Sequence, residues 1–513
     1  MRYLPILLFC AWLLPAHAQT TYGTEHWVTF MENLTLQFNG PPSFHLVISS
    51  ETGSTGAVTI PATGFSIPFS VEAGSDEVLT LPANTYYANG DEALFNFGLG
   101  VTSEQPVRVY AYHDRAYFSE ATQVLPTTAL GTDHIVLART DDFGTSPSQL
   151  VALATSDGTT VEITPSTLTA SFRPPGVPFT VALNEGQSIQ VQALGDLSGT
   201  RVRSLDPSKP LAVFAGARQA QVNCDLGGAD DHLYNQVYPL TLWGRDYFVV
   251  PYKDRGGDEV RIVAGPIDAQ VTVGSSVYDL EAGEVTVLQL TAPTRIQSNA
   301  SIAVGQFNDS QACNNGQSGD PCYVFLPATP LRDDRFLWNA RDGAGTPQHF
   351  VNVVVQAGNG VTDMFLDGSD VSAQFQSIAA HPTWWYAQLS IADGSHELVS
   401  DKPFQAVAYG MGDYNSYGFA LGFDNAIATG IREPGPSFDP TTTIIPHGRT
   451  WTPGWTQAGV EVLRLSDMRG RPAGSFTLPP GGTLALHGLA TGMYIAERWS
   501  AGERRSVFRL VIQ

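Results

Sequence analysis

The chain has 513 residues, with 27 lysines and arginines against 49 aspartates and glutamates, and its formal charge at pH 7 is −22. Because phosphate binding needs clustered cations, this balance argues against a nucleic-acid partner. Charged residues make up only 15% of a chain that contains 50 glycines and 34 prolines, which argues against long charged helices and coiled coils. At roughly 100 to 200 residues per domain, the length predicts a multidomain globular protein.

Residues 1–18 have the pattern of a secretory signal peptide. Arg2 supplies the positive charge, residues 4–14 form the apolar run, and Ala16-His17-Ala18 is the cleavage site. The apolar run is too short to cross a bilayer, which needs roughly 20 residues, and no later segment qualifies. We therefore predict an exported chain that starts at Gln19 and has no transmembrane helix in its mature form.

Three cysteines, Cys224, Cys313 and Cys322, remain once the signal peptide with Cys10 has been removed. An odd number leaves one thiol unpaired. Cys313 and Cys322 enclose the short polar segment CNNGQSGDPC, and an oxidising compartment favours a disulfide between them. Zinc binding is the alternative, but no further Cys or His stands at ligand spacing. The sequence predicts a Cys313–Cys322 disulfide, no metal site and no cofactor.

The strongest internal signal is a fourfold repeat. A serine, a short polar break and an alternating apolar strand recur at Ser103, Ser204, Ser298 and Ser400, with spacings of 101, 94 and 102 residues. A second short motif recurs at about the same spacing; its copies begin at Gly23, Gly131 and Gly244, with a degraded copy at Asp333. Self-similarity at a fixed period is the signature of a repeat architecture. We predict four repeats, over residues 19–122, 123–235, 236–324 and 325–425.

Each repeat has the pattern of six or seven short strands. Apolar and polar residues alternate around Gly, Asp or Asn turns, and no helical stripe is sustained between residues 20 and 425. This pattern is typical of an all-β sandwich. A β-propeller-like arrangement with two blades per repeat is the alternative, but the self-sufficient core of about one hundred residues favours the sandwich. The sequence therefore predicts an all-β fold of tandem sandwich-like repeats.

The composition changes after residue 425. Residues 426–445 are rich in Thr, Pro and Gly and are predicted to be a linker. A smaller all-β module, a small immunoglobulin-like sandwich, is predicted over residues 446–513.

This smaller module resembles the C-terminal sorting domain of proteins that the type IX secretion system of the Bacteroidota exports. The matching stretches are Val460–Asp467, Leu486–Tyr494 and Arg504–Val511. The resemblance implies that the module engages the type IX secretion machinery. It further implies that the chain is anchored at the outer surface of a Gram-negative cell.

Residues 20–425 resemble the amino-terminal domain of the IgGFc-binding protein family. The matching stretches are Gly23–Phe30, Leu125–Gly131, Asp231–Gln236, Trp243–Val250 and Asp258–Val263. The family commonly has a cysteine directly before its Asp-His-Leu, whereas this chain has Asp230. The resemblance therefore implies a surface-displayed binding domain in which Cys224 lacks the family's partner.

No recognised catalytic motif occurs in the chain: it has no Gly-x-Ser-x-Gly elbow, no His-Glu-x-x-His helix and no phosphate-binding glycine loop. Glu25, Asp133 and Asp246 are the acids most suggestive of general acid–base chemistry. They recur at equivalent repeat positions, whereas a catalytic carboxylate is needed once. We interpret them as turn or strand-entry residues and predict that the protein is not an enzyme.

The segments that follow the four serine-marked strands differ in sequence at one topological position. Such loops on a repeated scaffold are where recognition is usually built, and tyrosine is enriched at binding hot spots. The alternative is that the loops simply vary. The predicted ligand-binding residues are Tyr117, Phe118, Tyr234, Tyr414 and Tyr417.

These features together predict a secreted, cell-surface binding or adhesion protein. Its expected partner is an extracellular glycoprotein or polysaccharide, and its action involves no catalysis. Two alternatives remain open, a carbohydrate-active enzyme with an unrecognised site and a structural spacer at the surface.

Overall fold

The computed structural model describes residues 20–34, 40–82, 87–141, 144–224, 230–314, 317–343 and 345–424, and seven strands between residues 437 and 512. It divides into two compact units, Met1–Ala428 and Thr429–Gln513. The predicted signal peptide, residues 1–18, lies outside the described residues. Within the described ranges, the regular elements are β-strands and short 3₁₀ segments, which confirms the all-β prediction. In the same ranges, no helix has the length and apolar character needed to cross a membrane.

Repeat 1 is a two-layered sandwich built around one long strand, β7. Its elements are β1 (Gly23–Val28), β2 (Ser43–Ser50), β3 (Ser54–Ile60), β4 (Phe65–Val71), β5 (Ser75–Leu81), β6 (Leu94–Phe95), β7 (Leu99–Asp114) and β8 (Glu120–Val124), with 3₁₀ segments at Pro61–Thr63 and Thr127–Ala129. The first half of β7 pairs with β1 and β3, and β3 pairs with β4. The second half pairs with β2 and β8, and β2 pairs with β5. Because β7 belongs to both layers we call it the spine strand, and we call β8 the axial strand.

Repeats 2 to 4 have the same topology. Repeat 2 comprises β9 (Asp133–Ile135), β10 (Ser148–Ala154), β11 (Thr159–Thr164), β12 (Phe179–Leu183), β13 (Ser188–Ala193), β14 (Arg201–Ser204), β15 (Leu211–Ala220) and β16 (Asp231–Val237). Repeat 3 comprises β17 (Gly244–Val249), β18 (Asp258–Ala264), β19 (Ala269–Val273), β20 (Ser276–Leu280), β21 (Val285–Leu290), β22 (Thr294–Asn308) and β23 (Tyr323–Phe325). Repeat 4 comprises β24 (Asp333–Ala340), β25 (Gln348–Gln356), β26 (Met364–Leu366), β27 (Ser369–Asp370), β28 (Gln376–Ile378), β29 (His381–Ile391), β30 (Gly394–Gly412) and β31 (Asn415–Ala420). Further 3₁₀ segments lie at Leu240–Leu242, Gln311–Cys313 and Ser372–Gln374.

The spine strands of these repeats are β14 with β15, β22 and β30, and the axial strands are β16, β23 and β31. In repeat 2 the spine is interrupted, so the two layers are separate sheets. Strand β6 of repeat 1 pairs with β13 and extends one of those sheets. Each repeat is thus one two-layered sandwich, which confirms the prediction of tandem sandwich-like repeats. The two-blade propeller alternative does not describe them.

The landmark serines lie where each spine strand bends from one layer to the other. In every repeat, the serine hydroxyl bonds a backbone group two residues later; the partners are Gln105, Asp206, Ala300 and Lys402. A serine that bonds the nearby backbone favours a local turn over a continuous ladder. The register of β1 against β7 shifts at this place, between the pairs Gly23–Val107 and Glu25–Thr102. The recurring serine therefore marks the bend that allows one strand to serve two layers.

The four axial strands lie around a common axis. The buried carboxylate of Glu120 in β8 accepts hydrogen bonds from the backbone N–H groups of Tyr323 in β23 (2.6 Å) and Gly418 in β31 (3.3 Å). The Asn235 amide of β16 donates to the carbonyls of the same two residues, at 3.0 and 3.4 Å. Buried backbone groups need partners, and here these two side chains supply them. All four repeats therefore meet at the axis.

The ring of sandwiches is closed by contacts between its first and last repeats. Thr21 N donates to Phe423 O at 2.9 Å, and the buried Arg108 of β7 forms an ion pair with Asp333 of β24. The Tyr112 hydroxyl donates to Asn339 O at 2.6 Å. The apolar core follows this arrangement, because one cluster of buried side chains spans repeats 1 to 3 and reaches Ala420 and Phe423 of repeat 4, and a second joins β7 to repeat 4.

The second unit is a smaller β structure. Its strands are β32 (Ser437–Ile445), β33 (Thr450–Trp451), β34 (Glu461–Asp467), β35 (Pro472–Leu478), β36 (Leu484–Ala485), β37 (Gly492–Ser500) and β38 (Glu503–Ile512). Five form a sheet in the order β32-β38-β37-β34-β35, and β33 pairs with β36. Residues 437–445, predicted to be linker, form a strand parallel to β38, and the β-branched run Thr441–Ile445 explains the difference.

Candidate functional site

Four loops, one from each repeat, meet at one end of the ring axis. Each joins a spine strand to its axial strand, and we call them the axial loops; their described residues are 115–119, 221–224 with 230, 309–314 with 317–322, and 413–414. Ser119 N in the first loop donates to Asn415 Oδ1 at 2.9 Å. In the third loop, the Gln311 amide donates to Asp413 Oδ1 and accepts from Tyr414 N, both at 2.8 Å. The axial loops thus form one continuous surface, which we call the loop face.

A disulfide between Cys224 and Cys313 joins the axial loops of repeats 2 and 3. The two Cα atoms are 5.3 Å apart, although 89 residues separate them in sequence. Cys322 is a free, buried thiol, and burial raises its pKa well above the usual value. The predicted Cys313–Cys322 disulfide is therefore wrong. Its physical reason is that Cys322 packs inward beside Tyr252, whereas Cys313 faces the neighbouring repeat.

The five predicted ligand-binding aromatic residues fall into two environments. Tyr117 and Tyr414 lie on axial loops and are 46% and 37% exposed. Both have positive φ angles, 69° and 52°, a backbone region that aromatic residues rarely occupy. Backbone outliers of this kind occur preferentially at functional sites, so the two tyrosines stay candidates for ligand contact.

Phe118, Tyr234 and Tyr417 are buried, so the prediction that they contact a ligand is wrong. Tyr234 and Tyr417 belong to axial strands, which the other repeats surround. The Tyr234 hydroxyl donates to Thr29 O at 2.8 Å, and the Tyr417 hydroxyl accepts from Arg341 N at 3.1 Å. Tyr234 thus bonds repeat 1, and the Tyr417 ring packs against Tyr112 of repeat 1 with centroids 5.3 Å apart, so neither side chain is available at the surface.

Buried carboxyl groups lie beneath the loop face. Asp231 Oδ2 accepts from Ser416 N at 3.2 Å, and Asp320 Oδ1 accepts from Gln311 N at 2.9 Å. Burial raises the pKa of Asp231 well above its usual range and that of Asp320 to about 7. In the described part of the chain, no group of three or more Asp, Glu, His or Cys side chains is arranged to hold a metal ion. These acids therefore act as acceptors for backbone groups at the base of the loops.

Two other residues that hold the loop face together were missed by sequence reasoning. The Arg255 guanidinium donates to the carbonyls of Asp309, Gln317 and Gly319, at 2.7, 2.9 and 2.8 Å. Gln311 bonds the fourth loop as described above. Nothing in the local sequence marks either residue. For Asn235, by contrast, the family-like stretch Asp231–Gln236 was an available signal.

The acids considered for catalysis are each engaged within their own repeat. Asp133 pairs with Arg201 at 2.6 Å and Asp246 with Arg295 at 2.7 Å, linking the first strand to the spine strand. Glu25 accepts a hydrogen bond from Trp27 Nε1 at 3.0 Å. The equivalent ion pairs of Asp133 and Asp246 account for the recurrence of these two acids.

The comparisons with solved structures give weak similarity. The native conformation of E. coli alpha-2-macroglobulin aligns with a TM-score of 0.15 and 10% identity, covering 96% of this chain and 40% of that one. Sidekick-1 immunoglobulin domains 1–5 align with a TM-score of 0.10 and 8% identity, covering 96% and 99%. At these scores neither structure adds to the description of the fold.

The sequence comparisons are informative. The human IgGFc-binding protein is 23% identical over 413 residues, which is 78% of this chain and 7% of the human protein, so the chain spans a small part of that relative. Residues 120–410, more than half of the chain, match the family described as IgGFc binding protein. The match begins at Glu120 on the ring axis and also includes Asn235. The chain belongs to the IgGFc-binding protein family.

Proposed function

We propose that the chain is a secreted, surface-displayed binding or adhesion protein that recognises an extracellular glycoprotein or polysaccharide through the loop face, without catalysis. The observation that carries this proposal is the convergence of four loops of unlike sequence into one surface on a repeated scaffold. Binding residues are disproportionately found on loops that a rigid scaffold positions.

The loops are held in place before any ligand arrives. The Cys224–Cys313 disulfide joins the second and third axial loops, and the Gln311–Asp413 hydrogen bond joins the third and fourth. Ser119 of the first loop bonds Asn415 at the start of β31, next to the fourth loop. A surface that is already ordered loses less conformational entropy on binding, which favours affinity. The loop face therefore has the rigidity expected of a recognition site.

Tyr117 and Tyr414 supply the contact area on this surface. A tyrosine offers an apolar ring and a polar hydroxyl at low entropic cost, which is why the residue is common at binding hot spots. Both protein and sugar surfaces can be recognised in this way. The human relative is named for binding IgG Fc, so an Fc fragment belongs among the ligands tested.

The test is a glycan and glycoprotein array, with an Fc fragment included, probed with the protein and with Tyr117→Ala/Tyr414→Ala. We expect saturable binding that the double variant weakens by about tenfold or more, as hot-spot residues do. Phe172→Ala is the matched control, because Phe172 is 80% exposed with a positive φ of 64° but lies outside the axial loops. If no ligand binds saturably, the hypothesis of a structural spacer at the surface is favoured. If the protein turns over a glycan, the hypothesis of a carbohydrate-active enzyme is favoured.

Delivery to the surface is the second part of the proposal. It rests on the signal-peptide pattern of residues 1–18 and on the type IX sorting resemblance of residues 446–513. In a bacterium with a type IX system, deleting residues 446–513 should leave the protein in the periplasm, while the full chain reaches the outer surface. Surface display of the deleted chain would refute this assignment.

A further inference from the structure

A cleft lies between repeats 3 and 4, at the end of the ring axis away from the loop face. The axial strand β23 starts at the loop face, and the chain that leaves its other end leads to Thr329 in the cleft wall. The cleft measures about 520 Å³ and lies between the first strand of repeat 3 and strand β29 of repeat 4. We call it the junction cleft. Its volume is in the range of roughly 300 to 1,000 Å³ that small-molecule sites occupy.

The junction cleft carries one uncompensated positive charge. Arg295 is neutralised by Asp246 through two hydrogen bonds of 2.7 and 2.9 Å. Arg332 also lines the cleft; Asp246 attracts it at longer range, and the described residues give it no ion pair of its own, so two arginines share one carboxylate. Burial, and then the nearby Arg295, lower the pKa of His381, so this imidazole is neutral near pH 7. A local positive charge is notable in a chain whose formal charge is −22.

Arg332 departs from the repeat pattern at this position. One position at the start of each repeat pairs with the spine strand beyond its bend, and these four equivalent positions are Gly23, Gly131, Gly244 and Asp333. The residue before each of them is Tyr22, Leu130, Trp243 and Arg332. Leu130 and Trp243 are buried apolar side chains at their junctions, whereas Arg332 is half-buried with its guanidinium 5.8 Å from the centre of the Trp384 ring. The fourth junction thus replaces apolar packing with an oriented cation.

The remaining wall offers hydrogen-bonding groups. Gln356, His381 and Thr383 give the wall an amide, an imidazole and a hydroxyl. A free sulfate would use the arginine but little of this volume, whereas a sugar ring with an acidic group can use both.

We propose that the junction cleft binds an acidic saccharide, with its carboxylate or sulfate on Arg332 and its hydroxyls against Gln356, His381 and Thr383. Arginine is suited to this role because its planar guanidinium meets an oxyanion through two parallel hydrogen bonds. The cation over the Trp384 ring is already oriented, so little freedom is lost on binding. This site is independent of the loop face and of the ligand proposed for it.

Titration calorimetry on the full chain, at low salt and without phosphate, tests the proposal with four probes: 3′-sialyllactose, lactose, a heparin disaccharide and sodium sulfate. We expect at least one of the two acidic sugars to bind about tenfold or more tightly than lactose, and Arg332→Gln to remove about tenfold of that affinity. Arg332→Lys should restore part of it. Arg173→Gln is the matched control, because Arg173 also lies over an aromatic ring, Phe179, at 4.6 Å, but outside the cleft.

Thr383→Val separates binding from folding. Because Thr383 is exposed on the cleft wall, the variant should unfold at the same temperature, yet bind the acidic sugar several-fold more weakly. Tyr117→Ala/Tyr414→Ala should bind it unchanged, so failure of the loop-face proposal would be visible separately. The inference is overturned if neither acidic sugar binds better than lactose, if Arg332→Gln binds equally well, or if sulfate alone binds as tightly as the sugars.

Discussion

Removing the Asp333 carboxylate should destabilise the ring far more than removing a carboxylate from an exposed pair. Asp333→Ala leaves the Arg108 guanidinium buried between the rings of Tyr22, at 4.0 Å, and Phe336, at 4.7 Å. Its remaining partners are Thr21 Oγ1 at 2.9 Å and Arg335 O at 3.0 Å, both neutral. A buried charge that loses its counter-ion costs about 3 to 5 kcal/mol, so we expect a loss of that size in the free energy of unfolding.

Urea unfolding followed by tryptophan fluorescence measures this loss. Asp133→Ala is the matched control, since it removes the partner of the half-exposed Arg201 and should cost about 0 to 1 kcal/mol. Arg108→Met/Asp333→Leu should recover most of the stability, because replacing a buried ion pair by apolar side chains is often neutral. If Asp333→Ala costs no more than Asp133→Ala, the pair does not close the ring as the contacts indicate.

Three further predictions concern the disulfide, a buried acid and the axis. Cys224→Ser/Cys313→Ser should lower the free energy of unfolding by about 4 to 5 kcal/mol, because the disulfide closes a loop of 89 residues in the unfolded chain. The double variant should also abolish the effect of reductant on the melting temperature, whereas Cys322→Ser should leave that effect intact. Burial raises the pKa of Asp258 from 3.8 to about 8, so the folded state holds a proton that the unfolded state releases, and unfolding free energy should fall between pH 4 and 8. Urea titrations at several pH values should show Asp258→Asn removing up to about 1.4 kcal/mol per pH unit of that slope, while the exposed Asp370→Asn leaves it unchanged. Asn235→Ala should lower the free energy of unfolding by several kcal/mol in the same assay, because each buried carbonyl that loses its donor costs about 1 to 3 kcal/mol. A loss below about 1 kcal/mol would contradict the role assigned to Asn235 at the axis.

The sequence predicted the features that depend on local chemistry. The serine at Ser103 and its equivalents marks a bend because its hydroxyl bonds the backbone two residues later, and that signal is contained in a few neighbouring positions. The alternation of apolar and polar residues along a strand likewise indicates which face of a sandwich is buried. The fold class therefore followed from the pattern, as did the position of the variable loops along the chain.

The sequence did not predict features that depend on how the repeats face one another. Cys224 and Cys313 belong to different repeats, and only the ring brings them together, so their spacing along the chain suggested the wrong pair. Tyr234 and Tyr417 lie on axial strands, and contacts with repeat 1 help to bury them. Tyr117 and Tyr414 stay exposed because their loops lie beyond the ends of the axial strands.

Closure around an axis also explains how the loops can differ without loss of the fold. The axial strands are held by Glu120 and Asn235, whose bonds reach backbone groups and so do not depend on the loop sequences. The loops, by contrast, are held by one another, as in the bond between Gln311 and Asp413, and by Arg255. A change in one loop therefore acts on its neighbours at the loop face before it reaches the axis. For this reason variants of the axis should change stability, while variants of Tyr117 and Tyr414 should change recognition alone.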